Sequence, residues 1–310
     1  KKKLQNTQTR FNQPANVENE YKKFPELAQR REEVLKIVEW TKKEPHLPNL
    51  DEGEAILFFH ACHYHTEVTK QVIDLHFTTK THCPEFFANT DPLREEMKMV
   101  TKVITMAPIE KRTPSGHKVT IGKLADSDAS KFNFADCIKF YINCLEMVLA
   151  EDGIATGHTI VVDMSGVTLG HVARLGLFTM KKYLFYLQEC AAVRISGFHY
   201  INSVPFIDKI LGIMKPFLKE ELQNVLHVHT SLETFYKFVP KDILPVEYGG
   251  PEEPLEVQAD KFYKKVQENR EYFLNQEATR RVSEKLRPGK SKNASDIFGT
   301  EGNFRQLSID

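Results

Sequence analysis

The sequence of 310 residues lacks the features that mark several large classes of protein. It has no uninterrupted apolar run of about 18 residues, the length that a helix needs to cross a bilayer. Lysine plus arginine and aspartate plus glutamate are equal at 42 each, so no excess of positive charge points to nucleic acid. We therefore predict neither a membrane span nor a nucleic-acid partner.

The motifs of common enzymes are missing as well. There is no GxSxG nucleophile turn, no Walker loop, and no GxGxxG that opens a helix after a strand. Asp163 ends a short apolar strand, where α/β sheets place functional groups, but no nucleophile or base accompanies it. We interpret Asp163 as a turn or capping residue, and we predict no enzyme, no catalytic residue and no cofactor.

Cysteine and histidine patterns do not indicate a metal site. The five cysteines contain no CxxC pair, and three lie in apolar surroundings, which is typical of small core residues in a reducing compartment. His60 and His63 share a helix face, His65 leaves it, and no nearby carboxylate completes a metal site. His227 and His229 point to one face of a strand without a visible third ligand. We predict structural roles for all five histidines.

Helical patterns dominate the first part of the chain. Apolar residues recur at helical spacing within 26–40. Asp51 and Glu54 have the spacing of a capping box at the start of a further helix. We therefore predict a helical domain over 18–90, after a flexible N-terminal tail at 1–17.

From about residue 91 the pattern changes to alternating strands and helices. Apolar strands are predicted at 102–109, 117–124, 158–164, 191–202 and 225–230. Long helices are predicted at 128–153, 170–190 and 205–222. This alternation predicts right-handed crossovers and a mostly parallel sheet in an α/β domain over 91–250.

Local signals predict a further helix start and the organisation of the C-terminal region. Thr230 and Glu233 have the spacing of a second capping box. The region 251–310 is predicted to hold one charged helix, a linker that begins at RPGKSK, and a docked extension. The apolar residues expected to dock are Ile297, Phe298, Phe304, Leu307 and Ile309.

The helix predicted from Pro205 has more apolar surface than one core contact requires. An arc of roughly 160° is apolar, whereas a stripe of about 100° is enough for docking. The apolar residues are Phe206, Ile207, Ile210, Leu211, Ile213 and Met214, and the narrow polar edge holds Asp208, Gly212 and Lys215. A similar surplus lies on two other helices, at Phe140, Tyr141 and Cys144 and at Tyr183, Tyr186 and Leu187. A large aromatic core explains any one of these residues, but a cavity for a small apolar molecule explains the set.

Five stretches carry a resemblance to a known family: VVDMSG at 161–166, ISGFHYIN at 195–202, MKPFL at 214–218, LHVH at 226–229 and DILPVEYGG at 242–250. Together with the helical segment 52–90 and its CPEFF, they resemble the CRAL-TRIO family of lipid-binding proteins. The nearest branch is that of the α-tocopherol transfer and retinaldehyde-binding proteins, and the C-terminal extension is similar to that of arthropod-type members. The resemblance implies an N-terminal helical bundle packed on an α/β domain, whose helices and sheet enclose one lipophilic ligand. It also implies a mobile lid helix at 203–216.

The sequence departs from the tocopherol branch where that branch binds phosphoinositide phosphates. The matching positions are Glu221 and Val225 near the distal end of the lid, and Leu57, His60 and Cys62 in the helical domain. Arg194 keeps its basic character. The positions that approach the chromanol in tocopherol proteins are here Asp136, Cys137 and Phe140. These departures favour neither phosphoinositide-driven release nor tocopherol itself.

The lid is predicted to be stiff at its start and weak at its end. Pro205 suits the first helical turn, because the N–H that proline lacks has no helical partner there. Pro216 should kink or end the helix near Lys215. Gly212 loosens the preceding turn.

The resulting interpretation is a cytoplasmic, monomeric carrier, peripheral at membranes, that moves one small hydrophobic molecule between membranes. A retinoid, a tocopherol or a similar isoprenoid is the expected ligand. A phospholipid or phosphoinositide exchange protein of the same fold, or a scaffold with a vestigial pocket, is the alternative. The predicted ligand-binding residues are Phe140, Cys144, Val162, Tyr183, Tyr186, Leu187, Val193, Phe198, Phe206, Ile207, Ile210 and Met214. The predicted contacts with anionic lipid at the membrane surface are Arg194, Lys209, Lys215 and Lys219.

Overall fold

A five-stranded sheet forms the centre of the α/β part in the computed structural model, which describes residues 17–299. The strands lie side by side in chain order, and β1 pairs antiparallel with β2 while all other pairs are parallel. They are β1 (Ile104–Pro108), β2 (Lys118–Leu124), β3 (His158–Asp163), β4 (Ile195–Ile201) and β5 (Leu226–Val228). Each strand lies within its predicted segment, and the predicted mostly parallel sheet is confirmed.

Sixteen α-helices occur in the described part of the chain. Seven precede the sheet: α1 (Val17–Lys23), α2 (Pro25–Gln29), α3 (Arg31–Lys43), α4 (Glu52–Ala61), α5 (Thr66–His82), α6 (Pro84–Phe87) and α7 (Glu95–Val103). Six lie between or after the strands: α8 (Phe134–Asp152), α9 (Leu169–Val172), α10 (Leu177–Phe185), α11 (Ile207–Met214), α12 (Glu220–Asn224) and α13 (Leu232–Phe235). The last three are α14 (Leu255–Glu268), α15 (Arg270–Thr279) and α16 (Ala294–Phe298).

The N-terminal helices form a bundle with a core of its own. Its fully buried residues include Leu27, Val34, Ile37, Ile56, Phe59 and Ile73. The predicted capping box opens α4: the Asp51 carboxylate accepts the Glu54 N–H at 2.8 Å, and the Glu54 carboxylate accepts the Asp51 N–H at 3.0 Å. The predicted helical character of this region is confirmed.

The two faces of the sheet pack against different partners. Successive side chains of a strand point to opposite faces, so Ile160 and Val161 on β3 belong to different cores. The face of Ile160, Phe198 and Tyr200 is covered by α8, α10 and α11. The face of Val161 packs against α13 and the segment that contains Tyr248. The first face holds the candidate site.

Asp163 ties together the ends of two strands, as its interpretation as a turn residue requires. Its Oδ1 accepts the Ser165 N–H at 2.9 Å, the Ser165 hydroxyl at 2.7 Å and the Asn202 amide at 2.9 Å. Its Oδ2 accepts the Tyr248 hydroxyl at 2.9 Å. Position 250, just after Tyr248, has no room for a side chain, because a Cβ on Gly250 would lie 1.8 Å from the Leu244 carbonyl oxygen. The hydrogen bonds of Asp163 thus join the segments VVDMSG and DILPVEYGG in the folded chain.

Edge strand β1 is closed by a single tyrosine on α14. The Tyr263 hydroxyl accepts the Met106 N–H at 2.9 Å and donates to the Ile104 carbonyl at 3.1 Å. These are backbone groups that an edge strand otherwise leaves open to pairing with another chain. Helix α14 thus pairs these backbone groups at the β1 edge of the sheet.

The predicted single helix over 170–190 is wrong. Gly176, with φ of 65°, separates α9 from α10, because this left-handed conformation interrupts a right-handed helix. Helix α10 then widens into a π-helix at Tyr186–Cys190. The segment 167–176 is therefore free to approach the carboxyl end of β3 instead of extending α10.

Two predicted helix starts are also wrong by one or two residues. Ser231, in extended conformation, precedes α13 without a side-chain cap, so the spacing to Glu233 is two residues and the box predicted with Thr230 does not form. Pro205 lies in a turn that the Ile207 N–H closes on the Val204 carbonyl at 3.1 Å. Helix α11 consequently begins after Pro205 and not around it.

The predicted linker is bound to the helical bundle. The Arg287 side chain, 5 % exposed, donates to Asp74 Oδ1, Thr78 Oγ1 and Glu284 Oε2, each at 2.7 Å. Lys292 Nζ donates to Asp74 Oδ2 at 2.8 Å. The sequence 287–292 is polar because its side chains form these pairs. We call the group around Asp74 and Arg287 the C-terminal clamp.

The docked end that follows is described only in part. Phe298 is 1 % exposed, and its ring lies 5.4 Å from the ring of Phe185. Ile297 is half-buried beside it. Phe304, Leu307 and Ile309, like nearly all of the predicted tail at 1–17, lie outside the described residues. The predicted domain limits stay predictions.

Acid should weaken the C-terminal clamp. Burial raises the pKa of Asp74, but hydrogen bonds from Lys292 and Arg287 outweigh it and lower this pKa from 3.8 to about 2. Burial likewise raises the pKa of Glu284, and the pair with Arg287 lowers it from 4.5 to about 2. Because both pKa values fall on folding, the contribution is fully present above pH 4.5 and is lost as the pH falls through about 2.

We expect Arg287→Met to lower the free energy of unfolding by about 3 kcal/mol at pH 7, since it leaves two carboxylates partly buried and less well paired. Urea unfolding of both proteins at pH 7 and pH 3 measures this difference, which should shrink in acid. Lys290→Met is the matched control, because the Lys290 side chain is 86 % exposed. Equal effects of the two substitutions at pH 7 would contradict the clamp.

Candidate functional site

An apolar cavity of about 180 Å³ lies between the sheet and the helices above it. Its floor is formed by Met106 on β1, Gly122 on β2, Ile160 and Val162 on β3, and Phe198 and Tyr200 on β4. Its roof is formed by Cys137, Ile138 and Tyr141 on α8, Met180 and Tyr183 on α10, and Ile210 and Met214 on α11. Gly122 on the floor has no side chain, so no side-chain atoms fill the space above it. The cavity therefore lies where the sheet and the helices do not pack against each other.

Five of the twelve predicted ligand-binding residues line this cavity: Val162, Tyr183, Phe198, Ile210 and Met214. They come from four different elements, β3, α10, β4 and α11. In the sequence these residues share only their apolar character. Two of the five, Ile210 and Met214, are the buried residues of the predicted lid helix.

Two of the other seven predicted residues lie on the opposite side of α8. The Phe140 ring lies 5.0 Å from the ring of Tyr263 on α14, and Cys144 is 1 % exposed in the same core. Helix α8 is covered on both sides, by the sheet and α10 on one and by α14 on the other. Its apolar surplus thus serves a second protein contact at these positions, and the structure places both residues outside the cavity.

The remaining five also lie outside the cavity. Tyr186, Leu187 and Val193 are buried in the core behind it, and the Tyr186 ring lies 5.3 Å from that of Phe87 on α6. Phe206 and Ile207 are half-buried before and at the start of α11. In the π-helix, Tyr186 faces the N-terminal helices, and its ring also lies 6.1 Å from the ring of His76 on α5.

Sequence reasoning missed one wall of the cavity. It is formed by Phe132 in the loop before α8, Phe134 at the start of α8, and Val167, His171, Val172 and Leu175 in and around α9. The predicted long helix over 170–190 concealed this wall. One signal was available, because the segment directly follows the carboxyl end of β3, where open α/β sheets bind their ligands.

Helix α11 covers the cavity with a narrow face. Ile210 and Met214 are 5 % and 1 % exposed, whereas Asp208 and Gly212 lie on the solvent side. The Tyr200 hydroxyl on the floor donates to the Met214 sulfur at 3.0 Å. The helix ends at Met214, and Pro216 lies in a 3₁₀ helix at Lys215–Phe217, so the predicted break is confirmed.

The distal end of this cover is fixed to the π-helix. The Gln188 side-chain amide donates to the Phe217 carbonyl at 3.0 Å and accepts the Lys219 N–H at 2.7 Å. Lys219 also pairs with Glu189. Lys219 is therefore paired within the protein, and its contact with anionic lipid stays a prediction.

The other three predicted membrane contacts differ in their surroundings. Lys209 and Lys215 are exposed on α11 and directly after it, and neither has an ion-pair partner within residues 17–299. Arg194 lies before β4, at the end of the strand opposite to the start of α11. Its Nε donates to the His60 carbonyl at 2.8 Å, and its guanidinium lies 5.5 Å from the centre of the Tyr64 ring. Arg194 thus joins the sheet to the helical bundle.

The histidines noted in the sequence lie apart from the cavity. His60 is buried against Phe24 and Tyr64, and burial lowers its pKa to about 3. His227 and His229 stack with His199 on the other face of the sheet. Among residues 17–299, no group of three or more His, Cys, Asp or Glu side chains has an arrangement that could hold a metal ion. No helix over the same residues is long and apolar enough to cross a membrane.

Comparison with curated proteins finds relatives for about two thirds of the chain. The protein named "Alpha-tocopherol transfer protein-like" of Homo sapiens is 27% identical over 212 residues, which are 67% of this chain and 61% of that protein. The protein of the same name of Mus musculus matches to the same extent. Clavesin-1 of Xenopus laevis is 24% identical over 151 residues, 48% of this chain and 46% of its own. The chain thus spans less than two thirds of these relatives' own length.

A solved structure and two family profiles also match. The crystal structure of Sfh5 is 14% identical with a TM-score of 0.49, over 67% of this chain and 75% of that chain. Residues 26–97 match the profile described as "Pinta-like, UBA domain", and residues 105–250 match that of the CRAL/TRIO domain. The matched residues 105–250 contain the five-stranded sheet except Ile104, together with the helices α8 to α13. Residues 105–250 of this chain form a CRAL-TRIO domain.

Proposed function

We propose that this protein carries one small hydrophobic molecule, such as a retinoid, a tocopherol or a similar isoprenoid lipid, and transfers it between membranes. The observation that supports this most is the apolar cavity beneath the short helix α11. The family supports lipid binding in general, and the finer identity of the ligand rests on the cavity. In the same proposal, the protein acts in the cytoplasm as a monomer and contacts membranes transiently.

The size of the cavity indicates how a ligand enters. About 180 Å³ is close to the roughly 150 Å³ of an engineered cavity that binds benzene, so a ring-sized group fits without rearrangement. Pockets for whole small molecules measure about 300–1,000 Å³. A complete isoprenoid therefore requires that Ile210 and Met214 move outwards. Loading is thereby coupled to movement of α11, which we call the lid.

The energetics of the lid favour release at a membrane. Burial of Ile210 and Met214 contributes about 1.5–3 kcal/mol for each side chain, so exposure of both to water is costly. A membrane surface can accept this apolar face instead of water. Lys209 and Lys215 lie beside it, and each attracts anionic lipid by about 1 kcal/mol. Membrane contact should therefore be the step that opens the cavity.

Native mass spectrometry of the purified protein, followed by organic extraction, tests the proposal directly. A retained isoprenoid supports it. A retained phospholipid would favour an exchange protein of the same fold, and a protein that takes up no lipid when loaded with either class would favour a scaffold.

Filling the cavity should abolish binding. Val162→Trp places an indole on the cavity floor, and we expect the dissociation constant of a bound retinoid to rise at least tenfold from the micromolar to sub-micromolar range. Fluorescence titration with a panel of retinoids, tocopherols and sterols measures it.

Phe140→Leu is the matched control for this substitution, because Phe140 lies on the far side of α8. It should lower stability and leave the dissociation constant within about twofold of the original. Loss of binding in Phe140→Leu but not in Val162→Trp would contradict the assignment of the cavity. Binding no tighter than about 100 μM for the whole panel would contradict the carrier function.

A charge on the inner face of the lid should prevent ligand retention. Ile210→Asp would bury a carboxylate in an apolar wall, so the lid should open and the ligand should be lost on gel filtration. Gly212→Asp adds the same charge on the solvent side, where a Cβ meets no atom within 4 Å, and should retain the ligand. Circular dichroism checks that both variants stay folded. Equal retention by the two variants would show that α11 is not the lid.

A stiffer lid should slow transfer more than it changes affinity. Gly212→Ala fits without a clash and favours the helix by about 1 kcal/mol. We expect slower movement of a fluorescent retinoid to acceptor vesicles, with an unchanged dissociation constant. Stopped-flow fluorescence with and without vesicles measures both rates. If the ligand leaves equally fast without acceptor membranes, release is not catalysed by membrane contact.

A further inference from the structure

One buried polar atom in the cavity wall has no partner. His171 on α9 is 3 % exposed and lines the cavity. Its Nδ1 lies 3.1 Å from the backbone nitrogen and 2.9 Å from the hydroxyl oxygen of Thr168. Its Nε2 is fully buried and has no hydrogen-bond partner in the part of the chain that the structure describes. Buried polar atoms of native proteins are nearly always paired, so this exception calls for a partner outside the chain.

The contacts of Thr168 determine which nitrogen of His171 carries the proton. A backbone N–H can only donate, so the bond from Thr168 requires a lone pair on Nδ1. In a neutral imidazole the proton is then on Nε2. Burial lowers the pKa of His171, and Arg174 lowers it further while Asp128 opposes the shift, so the ring is neutral at pH 7. Nε2 is consequently an N–H donor.

The surroundings of this donor offer it no acceptor. The ring of Phe132 packs at a steep angle to the imidazole, with 5.3 Å between the ring centres. Val167, Val172 and Leu175 complete this part of the cavity wall. An N–H group in apolar surroundings is unfavourable until an acceptor reaches it. A molecule in the cavity is in the position to supply that acceptor.

We propose that His171 selects the ligand by donating its Nε2–H to an oxygen atom of the bound molecule. This inference rests on the proposed carrier function and adds the chemical class: an isoprenoid that bears a carbonyl, ether or hydroxyl oxygen, in preference to a hydrocarbon. Thr168 acts as the positioning residue, because its two contacts hold the ring in the orientation that turns Nε2 away from them. The oxygenated end of the ligand lies at α9.

A pair of size-matched probes tests this role. Retinyl methyl ether can accept but not donate a hydrogen bond, and the analogue with CH₂ in place of the ether oxygen can do neither. We expect the wild-type protein to bind the ether about tenfold more tightly than the hydrocarbon. His171→Phe keeps a ring without the donor and should remove the preference, whereas His171→Gln restores an N–H and should recover part of it.

A spectroscopic measurement on the unmutated protein makes the test independent of the folding of variants. The Nε2–H proton of His171 should move downfield in ¹H–¹⁵N spectra when the ether binds, and should stay in place when the hydrocarbon binds. An equal preference in wild type and His171→Phe, or no change of the Nε2–H signal with the bound ether, would overturn the role of His171 while leaving the carrier function intact. Failure of both probes to bind would overturn the carrier function for this ligand class and the role of His171 with it.

Discussion

Every strand of a twisted, mostly parallel sheet presents side chains to two faces, and both faces must be covered. In this protein the two covers differ. On one face, Val161 and Ile201 pack directly against Phe235 and Tyr248, and the core is closed. On the other face, α8, α10 and α11 pack on the sheet but leave a cavity beneath them. The candidate site lies in that incompletely packed space, and the lid and the apolar ligand that we propose both depend on it.

The frame that keeps the cavity open is fixed from outside. Helix α14 closes the free edge of β1 through Tyr263, and the C-terminal clamp joins the segment around Arg287 to α5 through Asp74. Neither element lines the cavity. Their polar and ionic contacts hold segments around the cavity in place from outside it.

Much of the architecture could be predicted from the sequence because its signals are local. Apolar runs gave the strands, Asp51 and Glu54 gave a helix start, and Pro216 gave the end of the lid. The site was predicted only in part, because helical periodicity shows that a face is apolar but not what covers it. Phe140 contacts Tyr263, which is more than a hundred residues away in sequence, whereas Val162 faces the cavity. The Arg287 contacts were missed for the same reason, since polar sequence looks alike in a linker and in an ion-pair network.

His171 was missed for a different reason. Gly176, with a positive φ, directly precedes α10 and separates it from α9, but in sequence this glycine is compatible with a continuous helix. The unpaired nitrogen is a property of three-dimensional surroundings, because it depends on Thr168 occupying Nδ1 and on apolar neighbours around Nε2. No spacing of residue types indicates it.

The π-helix at the end of α10 has a mechanical consequence for the lid. Its wider turn brings Gln188 and Glu189 onto the chain at Phe217 and Lys219, just beyond the break at Pro216. The lid is thus fastened at its far end, while its near end is joined to β4 by the turn around Pro205. In the carrier function that we propose, α11 would therefore pivot about its far end, and a lipid would pass at the start of the helix.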